Sequence, residues 1–434
     1  MLDAVGVPDV DALFADIPAK LAPRSFAVPP PLTEQEVRRE LARLAGRNRI
    51  PEVSFLGAGA YRHLVPAAVM EVIGRAEFAT SYTPYQPEVS QGTLQTIYEF
   101  QTLVCELTGM EVASASHYDG ATAAAEAALM ACRLTGRHRI AVSAAVHPQV
   151  RRVIETYCSG PGVEVLTIKA DVVDGGSGLT DAQAAGGVLD DATACLVVSQ
   201  PNFFGGVEAM AELADIAHRY GALLVAIVEP TSLALLEAPG TYGADIVAAE
   251  GQPLGIPLSF GGPYVGLMAA RMDAVRQMPG RLVGATRDAQ GRRGYVLTLQ
   301  AREQHIRRER AASNICTNQA LCALAATAYL SAVGPDGLRE VAELSMIQAR
   351  HLVARLEDAG LAERRFAAPY FAELVVRVPA AARRHAALAE QGIVAGYLIE
   401  RDYPELADCL LLATTELTTD DDIELLVDAL EASR

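Results

Sequence analysis

Between residues 94 and 247, short runs of valine, isoleucine and leucine alternate with stretches of helical period, and this alternation constrains the fold more than any other feature. Helices are expected over 94–107, 121–134, 148–157 and 207–220, and strands over 139–142, 163–168, 194–199, 223–228 and 246–247. Short, continuously apolar strands separated by helices suit a mostly parallel sheet covered on both faces. A three-layer α/β unit ending near residue 299 is the result. A helical stretch from 303 to about 331 then leads to a small α+β unit. That unit reads as helix 337–357, strand 370–378, helix 380–391, strands 392–398 and 409–413, and helix 419–430. Thr419 suits the N-cap of the last helix, and Asp420, Asp421 and Asp422 place negative charge where the helix dipole favours it. At the other end, Thr33 and Glu36 form a capping box for a helix through Val37, Leu41 and Leu44. The expected plan is an arm over 1–60, a large α/β domain over 61–300, a linking helix over 301–331 and a small α+β domain over 332–434.

The 434 residues carry a formal net charge of -17 at pH 7, a poor match to nucleic acid or to an anionic membrane surface. Seven cysteines, at 105, 132, 158, 195, 316, 322 and 409, show no C-x-x-C spacing, which speaks against a structural zinc site or a redox dithiol. Residues 1–10 lack a basic segment followed by an apolar run, and apolar stretches such as 222–228 are too short to span a bilayer. A cytoplasmic protein is expected.

Several segments carry chemistry. Gly57-x-Gly59 fails as a dinucleotide fingerprint, lacking the third glycine and the βαβ frame; it is either a turn or a loop that places Tyr61 and His63 over a ligand. Residues 81–92 (SYTPYQPEVSQG) hold an extended backbone between two prolines and offer phenols, an amide, a carboxylate and hydroxyls, which suits a site or an interface. Ser90 there also suits a helix cap. At 117–122, Thr122 and nearby amides can hold an anion, with a plain loop-to-helix junction as the alternative. The segments 201–206 and 229–231 follow strands at the end where open α/β sheets bind ligands. The run 302–310 is dense in arginine and glutamate. The following 313–318, Ser-Asn-Ile-Cys-Thr-Asn, is rich in side chains that compete for backbone hydrogen bonds, so a break or ligand-facing turn is expected there. His305, Cys316 and Asp119 show no triad spacing.

The layout is frequent among pyridoxal-phosphate (PLP) enzymes of the aspartate-aminotransferase type. In that fold the strand ending at 228 precedes the carboxylate that pairs with the pyridine nitrogen, and the strand at 246–247 leads to the Schiff-base lysine. Here Ala249-Glu250-Gly251-Gln252 stands in that place. Only Lys20 and Lys169 exist in the chain, in the arm and well before the carboxylate-bearing strand end. Arginine cannot replace the amine, which must lose its proton to form a Schiff base.

The segments 81–92 and 302–320, with 57–63 and 202–206, closely resemble the N-terminal half of glycine decarboxylase, the P-protein family of the glycine cleavage system. The resemblance spans essentially the whole chain, and the strings Ser-Tyr-Thr-Pro-Tyr-Gln and Ser-Asn-Ile-Cys-Thr are long enough to be specific. It implies a PLP-dependent transferase type I fold, with a parallel-rich seven-stranded sheet and a smaller C-terminal α+β domain. In that family the enzyme is one chain with two homologous halves or two separate subunits, and only the second half bears the lysine. A lysine-less chain of this length resembles the separate first subunit. The resemblance implies an α2β2 heterotetramer with a lysine-bearing subunit 2 that holds PLP covalently. It further implies decarboxylation of glycine, and transfer of the aminomethyl group to the lipoyl arm of the H-protein. The residues it points to are His63, Tyr82, Glu88 and Asn314 in supporting catalytic roles across the interface. Tyr85, Gln86, Ser90 and Thr317 are expected to line the substrate pocket or contact partner-held PLP. Two readings stand against it: a structural or regulatory pseudo-enzyme subunit, and a stand-alone lyase or hydrolase using Asp, His and Cys.

Overall fold

The computed structural model describes residues 1–18, 20–21, 27–79, 81–315 and 317–433, so Cys316 lies outside the described residues. The chain divides into two compact units, Met1–Ile50 and Pro51–Arg434. The first contains helix α1 (Glu34–Ala45). Its capping box is present: Thr33 accepts from the Glu36 amide, and the Glu36 carboxylate accepts from the Thr33 amide at 2.8 Å. The helix buries nothing, and Val37, Leu41 and Leu44 form an exposed apolar stripe.

The second unit opens with a short strand β1 (Val53–Ser54). The main sheet is then built from β2 (Val112–Ala113), β3 (Arg139–Ser143), β4 (Glu164–Ile168), β5 (Thr193–Gln200), β6 (Leu223–Val228), β7 (Ile246–Glu250) and β8 (Gly266–Ala270). The spatial order is β2-β8-β7-β6-β5-β3-β4. The pairings from β4 to β7 are parallel, and β8 is antiparallel to both its neighbours. Helices cover both faces. On one lie α2 (Gln91–Thr108) and, further along the chain, Met210–Arg219; on the other lie α3 (Gly120–Thr135) and α4 (Pro148–Ser159). The period of two is visible in β5, where Leu196 and Val198 enter one core and Cys195 and Val197 the other. Alanines at 123, 124, 127, 128 and 131 are all fully buried, which lets α3 lie close on the sheet.

A hairpin of β9 (Leu282–Arg287) and β10 (Arg293–Thr298) follows. The helix expected from residue 303 does not form there. Residues 304–310 make short turns, Arg308 has φ 55°, and the helix α5 begins at Ala320 and runs to Asp358. Side chains compete for the backbone as their composition suggested: Ser313 Oγ accepts from the Ile315 amide and donates to Glu126, and Ser116 Oγ takes the Gln319 amide. Gly334, at φ 64° and ψ -176°, interrupts α5 just before Pro335. By length and composition α5 could cross a membrane, yet Ala323, Ala326 and Tyr329 are packed in the core of the main sheet.

The remaining sheet joins β11 (Glu363–Arg364), β12 (Glu373–Arg377), β14 (Tyr397–Leu398) and β15 (Cys409–Ala413) in the order β11-β12-β15-β14, all antiparallel. The expected strand 392–398 is broken, because β13 (Ile393–Val394) leaves this sheet and pairs in parallel with β1. The residues after β1 therefore run along this α+β part. Phe55 is fully buried in its core, its amide donating to Val394 and its carbonyl accepting from Ala413. That path carries Tyr61 and His63 into the crevice between the two sheets.

Candidate functional site

The crevice lies at the carboxyl ends of β5, β6 and β7, where a doubly wound sheet binds its ligand. It encloses about 430 Å³ and is lined by Tyr61, Asp119, His147, Asn202, Glu229, Glu250 and Glu373 among others. A smaller cavity of about 40 Å³ adjoins it, reached by His63.

Its carboxylates are already engaged within the chain. Glu250, at the end of β7, accepts from the amides of Gly120 (2.9 Å), Gln252 (3.0 Å) and Val265 (3.3 Å). The first is the N-terminal amide of α3, so the strand end sits directly on that helix terminus. Only glycine permits this approach, since a Cβ at Gly120 would stand 2.7 Å from the Glu250 nitrogen. Asp119 caps the same helix through the Thr122 amide at 2.8 Å, with the Thr122 hydroxyl returning to the Asp119 backbone. Thr122 thus belongs to a capping box, the plain junction of the two alternatives. Gln252 exchanges two hydrogen bonds with the Tyr61 backbone, each 2.9 Å.

Glu373 on β12 accepts from the Ala58 amide (2.7 Å) and from the Tyr61 hydroxyl (2.8 Å). Burial pushes both the Glu250 and the Glu373 carboxyl up to about 7, against the hydrogen bonds they accept. Burial likewise raises Glu229, which turns back onto Thr231 and Ser232 and caps the turn after β6. His63 Nδ1 lies 2.6 Å from Glu416, the two side chains being 6% and 8% exposed. Burial alone would raise the Glu416 carboxyl, but the hydrogen bond and charge of His63 hold it below the usual range. The Asn202 amide is spent on its own turn, accepting from Phe204 and Gly206 and donating to Gly178 and Glu208.

A family model described as "Glycine cleavage system P-protein" matches residues 1–430. The chain is 51% identical over 434 residues to the probable glycine dehydrogenase (decarboxylating) subunit 1 of Moorella thermoacetica, covering 99% of this chain and 96% of that one. It superposes with a TM-score of 0.93, at 43% identity, on an inhibitor-bound crystal structure of glycine decarboxylase (P-protein) of the glycine cleavage system, covering 100% of this chain and 97% of that one. The chain belongs to the glycine cleavage system P-protein family. The fold is that of the type I PLP-dependent enzymes, shared with a Lactobacillus brevis glutamate decarboxylase at TM-score 0.70 and 13% identity over 97% of each chain.

The crevice of this P-protein chain does not fit a covalently held PLP. No lysine stands at the end of β7 or in the residues that follow it, the chain's two lysines being Lys20 and Lys169, and Lys169 is an exposed residue just after β4. The α3 terminus, suited to a phosphate, already meets two carboxylates, of Glu250 and Asp119.

Tyr61, Asp119, Asn202 and Glu229, from segments the sequence singled out, line the crevice, whereas of the eight residues expected to act in the site only His63 comes near it among the described residues, lining the adjoining small cavity. Tyr82, 84% exposed, donates to Thr317 Oγ1 at 3.3 Å, which joins the 81–90 and 302–318 segments at the surface. Tyr85 is half exposed and accepts from Arg281 at 2.9 Å. Gln86, Glu88 and Asn314 are exposed. Ser90 is buried at the N-cap position of α2, but its hydroxyl makes no capping bond. Sequence reasoning missed Glu373 and Glu416, which sit in an ordinary strand and an ordinary loop, and Arg281 beneath the 81–90 segment. Nothing in their local pattern marks them.

Proposed function

We propose that this chain is the cofactor-less subunit of a divided glycine decarboxylase, a glycine dehydrogenase (aminomethyl-transferring) that works only with a homologous, lysine-bearing subunit in an α2β2 heterotetramer. The observation that carries this reading is at the end of β7: the stretch Ala249-Glu250-Gly251-Gln252 holds no lysine for a Schiff base, and Glu250 binds the α3 terminus instead. The partner holds the PLP, which supplies the electron sink for loss of the glycine carboxyl group. The aminomethyl group then passes to the lipoyl arm of the H-protein, in the cytoplasm.

This chain contributes a polar face to the partner's site. Tyr82, Glu88 and Asn314 support the reaction across the interface, with His63 held ready by Glu416. Tyr85, Gln86, Ser90 and Thr317 shape the glycine and lipoyl pocket. The exposure of Tyr82, Tyr85, Gln86 and Glu88 in the single chain supports this assignment, since polar side chains of that density have another surface to meet. Native mass spectrometry of the complex captured through this chain from its own cell extract tests the reading. The expected result is an assembly with one lysine-bearing homologue and PLP mass on that homologue alone. A lone oligomer with neither partner nor PLP refutes it.

A further inference from the structure

The two segments assigned to the shared site meet over one buried ion pair. Arg281 immediately precedes β9, and its carbonyl accepts from the Ala115 amide at 2.8 Å, two residues past the end of β2. Its side chain is 3% exposed. The guanidinium donates to Thr83 Oγ1 at 3.2 Å and to the Tyr85 hydroxyl at 2.9 Å, and lies 5.2 Å from the centroid of the Tyr85 ring. On its other side Nε is 3.5 Å from the carboxylate of Glu303, itself 3% exposed. Neither oxygen of Glu303 has a hydrogen-bond partner among the described residues, nor has Arg281 Nε. The charge of Arg281 compensates that carboxylate, with the neighbouring Arg302 guanidinium also acting on it and His305 Nδ1 3.4 Å away.

A buried pair of this kind is weak evidence for stability, because removing two charges from water offsets most of their attraction. Its location is more informative. Arg281 is tied through its backbone to the end of β2, while Thr83 and Tyr85 belong to one loop and Glu303 to another. The exposed Tyr82–Thr317 contact joins the same two loops at the surface, where water competes for it.

We propose that Arg281, held by Glu303, is a positioning residue for the glycine reaction: it sets the orientation of Tyr85 and the 81–90 loop at the shared site without touching substrate. The inference rests on the reading that this loop serves the partner's site. Lysine cannot replace Arg281, since a single ammonium lacks the planar fork that reaches both hydroxyls at once.

The test uses the assembled complex carrying Arg281→Lys, Glu303→Gln, Tyr85→Phe, Tyr85→Ala or Arg281→Lys with Tyr85→Phe. Native mass reports assembly, PLP absorbance reports the glycine-induced spectral change, and glycine–bicarbonate exchange gives kcat and KM. With Arg281→Lys the expected complex assembles and holds PLP, while kcat falls about ten-fold and KM for glycine stays within about two-fold. The double variant is no slower than Arg281→Lys alone, because the Tyr85 hydroxyl acts through Arg281. Wild-type kcat and KM in Arg281→Lys, with Tyr85→Ala inactive, overturns the positioning role and leaves the shared-site reading standing. Wild-type activity in Tyr85→Ala as well removes the shared-site reading itself. If Arg281→Lys does not assemble, Glu303→Gln and Tyr85→Phe decide: unchanged kcat in both overturns the proposal.

Discussion

Replacing Glu250 with glutamine removes a titration that burial has displaced. Desolvation pushes this carboxyl up to about 7 from its ordinary 4.5, against the amides of Gly120, Val265 and Gln252 that favour its charged form. Below the unfolded value both states hold the proton, and the group's contribution to stability is fully present. As pH rises, the unfolded chain releases its proton first, and the contribution is lost until pH passes through the folded value near 7. The full gap corresponds to roughly 3 kcal/mol. Glu250 is only part-buried where it meets the crevice, so screening reduces the expected loss between pH 5 and pH 8 to about 2 kcal/mol. Glutamine keeps one acceptor but turns an NH2 toward backbone donors, a pH-independent cost of about 1 kcal/mol that is set against the titration it removes. The diagnostic quantity is therefore the change with pH. Urea unfolding at pH 5 and pH 8 should show Glu250→Gln losing about 2 kcal/mol less than the native chain over that interval. Parallel losses in the two proteins, within about 0.5 kcal/mol, would refute the assignment of the charge to a desolvated site. Glu373, raised for the same reason, leaves a residual slope in both.

Three further outcomes follow from the same geometry. His63→Ala strands a buried carboxylate and should lower the urea-derived stability at pH 7 by about 3 kcal/mol. Because the Glu416 carboxyl is depressed in the folded chain, that difference should shrink as pH falls through its folded value, below 4.5. Gly205→Ala should destabilise by at least about 2 kcal/mol in urea, since Gly205 has φ 81° and an added Cβ would overlap the Glu373 carbonyl. Tyr82→Ala and Glu88→Ala should leave unfolding within about 0.5 kcal/mol of the native value, both being exposed, yet reduce glycine exchange by the assembled complex at least about ten-fold. Unchanged exchange with pairing intact would point to a pseudo-enzyme subunit that contributes no site residue.

Legibility in the sequence followed local pattern. The strands expected at 223–228 and 409–413 coincide with β6 and β15, because a strand covered on both faces is apolar at every position. The caps at Thr33 and Thr419 were equally readable, since a capping box closes within four residues. By contrast, β8 and the β9–β10 hairpin left no clear signal. The first is glycine, alanine and single larger side chains, and the hairpin is apolar at its base and exposed at its tip. The charged run at 302–310 looks helical by composition, but bonds from distant partners hold the segment that follows it as a loop. Ser313 reaches Glu126, 187 residues away, and Asn318 reaches Ala115, 203 away.

The same division runs through the site. The positions of the chain's two lysines, Lys20 and Lys169, by themselves determined that none stands after β7, and single-residue identity needs no coordinates. The polar density of 81–92 was likewise legible, because proline spacing and side-chain type are local. What took Glu250's place in function was decided by tertiary structure: its carboxylate reaches the α3 terminus only because β7 and α3, 130 residues apart, converge at one end of the sheet. Pairings such as Tyr61 with Glu373 and His63 with Glu416 span 312 and 353 residues. Contacts at such separations are set by the register of two sheets against each other. No spacing rule along one strand or helix encodes that register, so the partners of a legible residue remained invisible until the chain was folded.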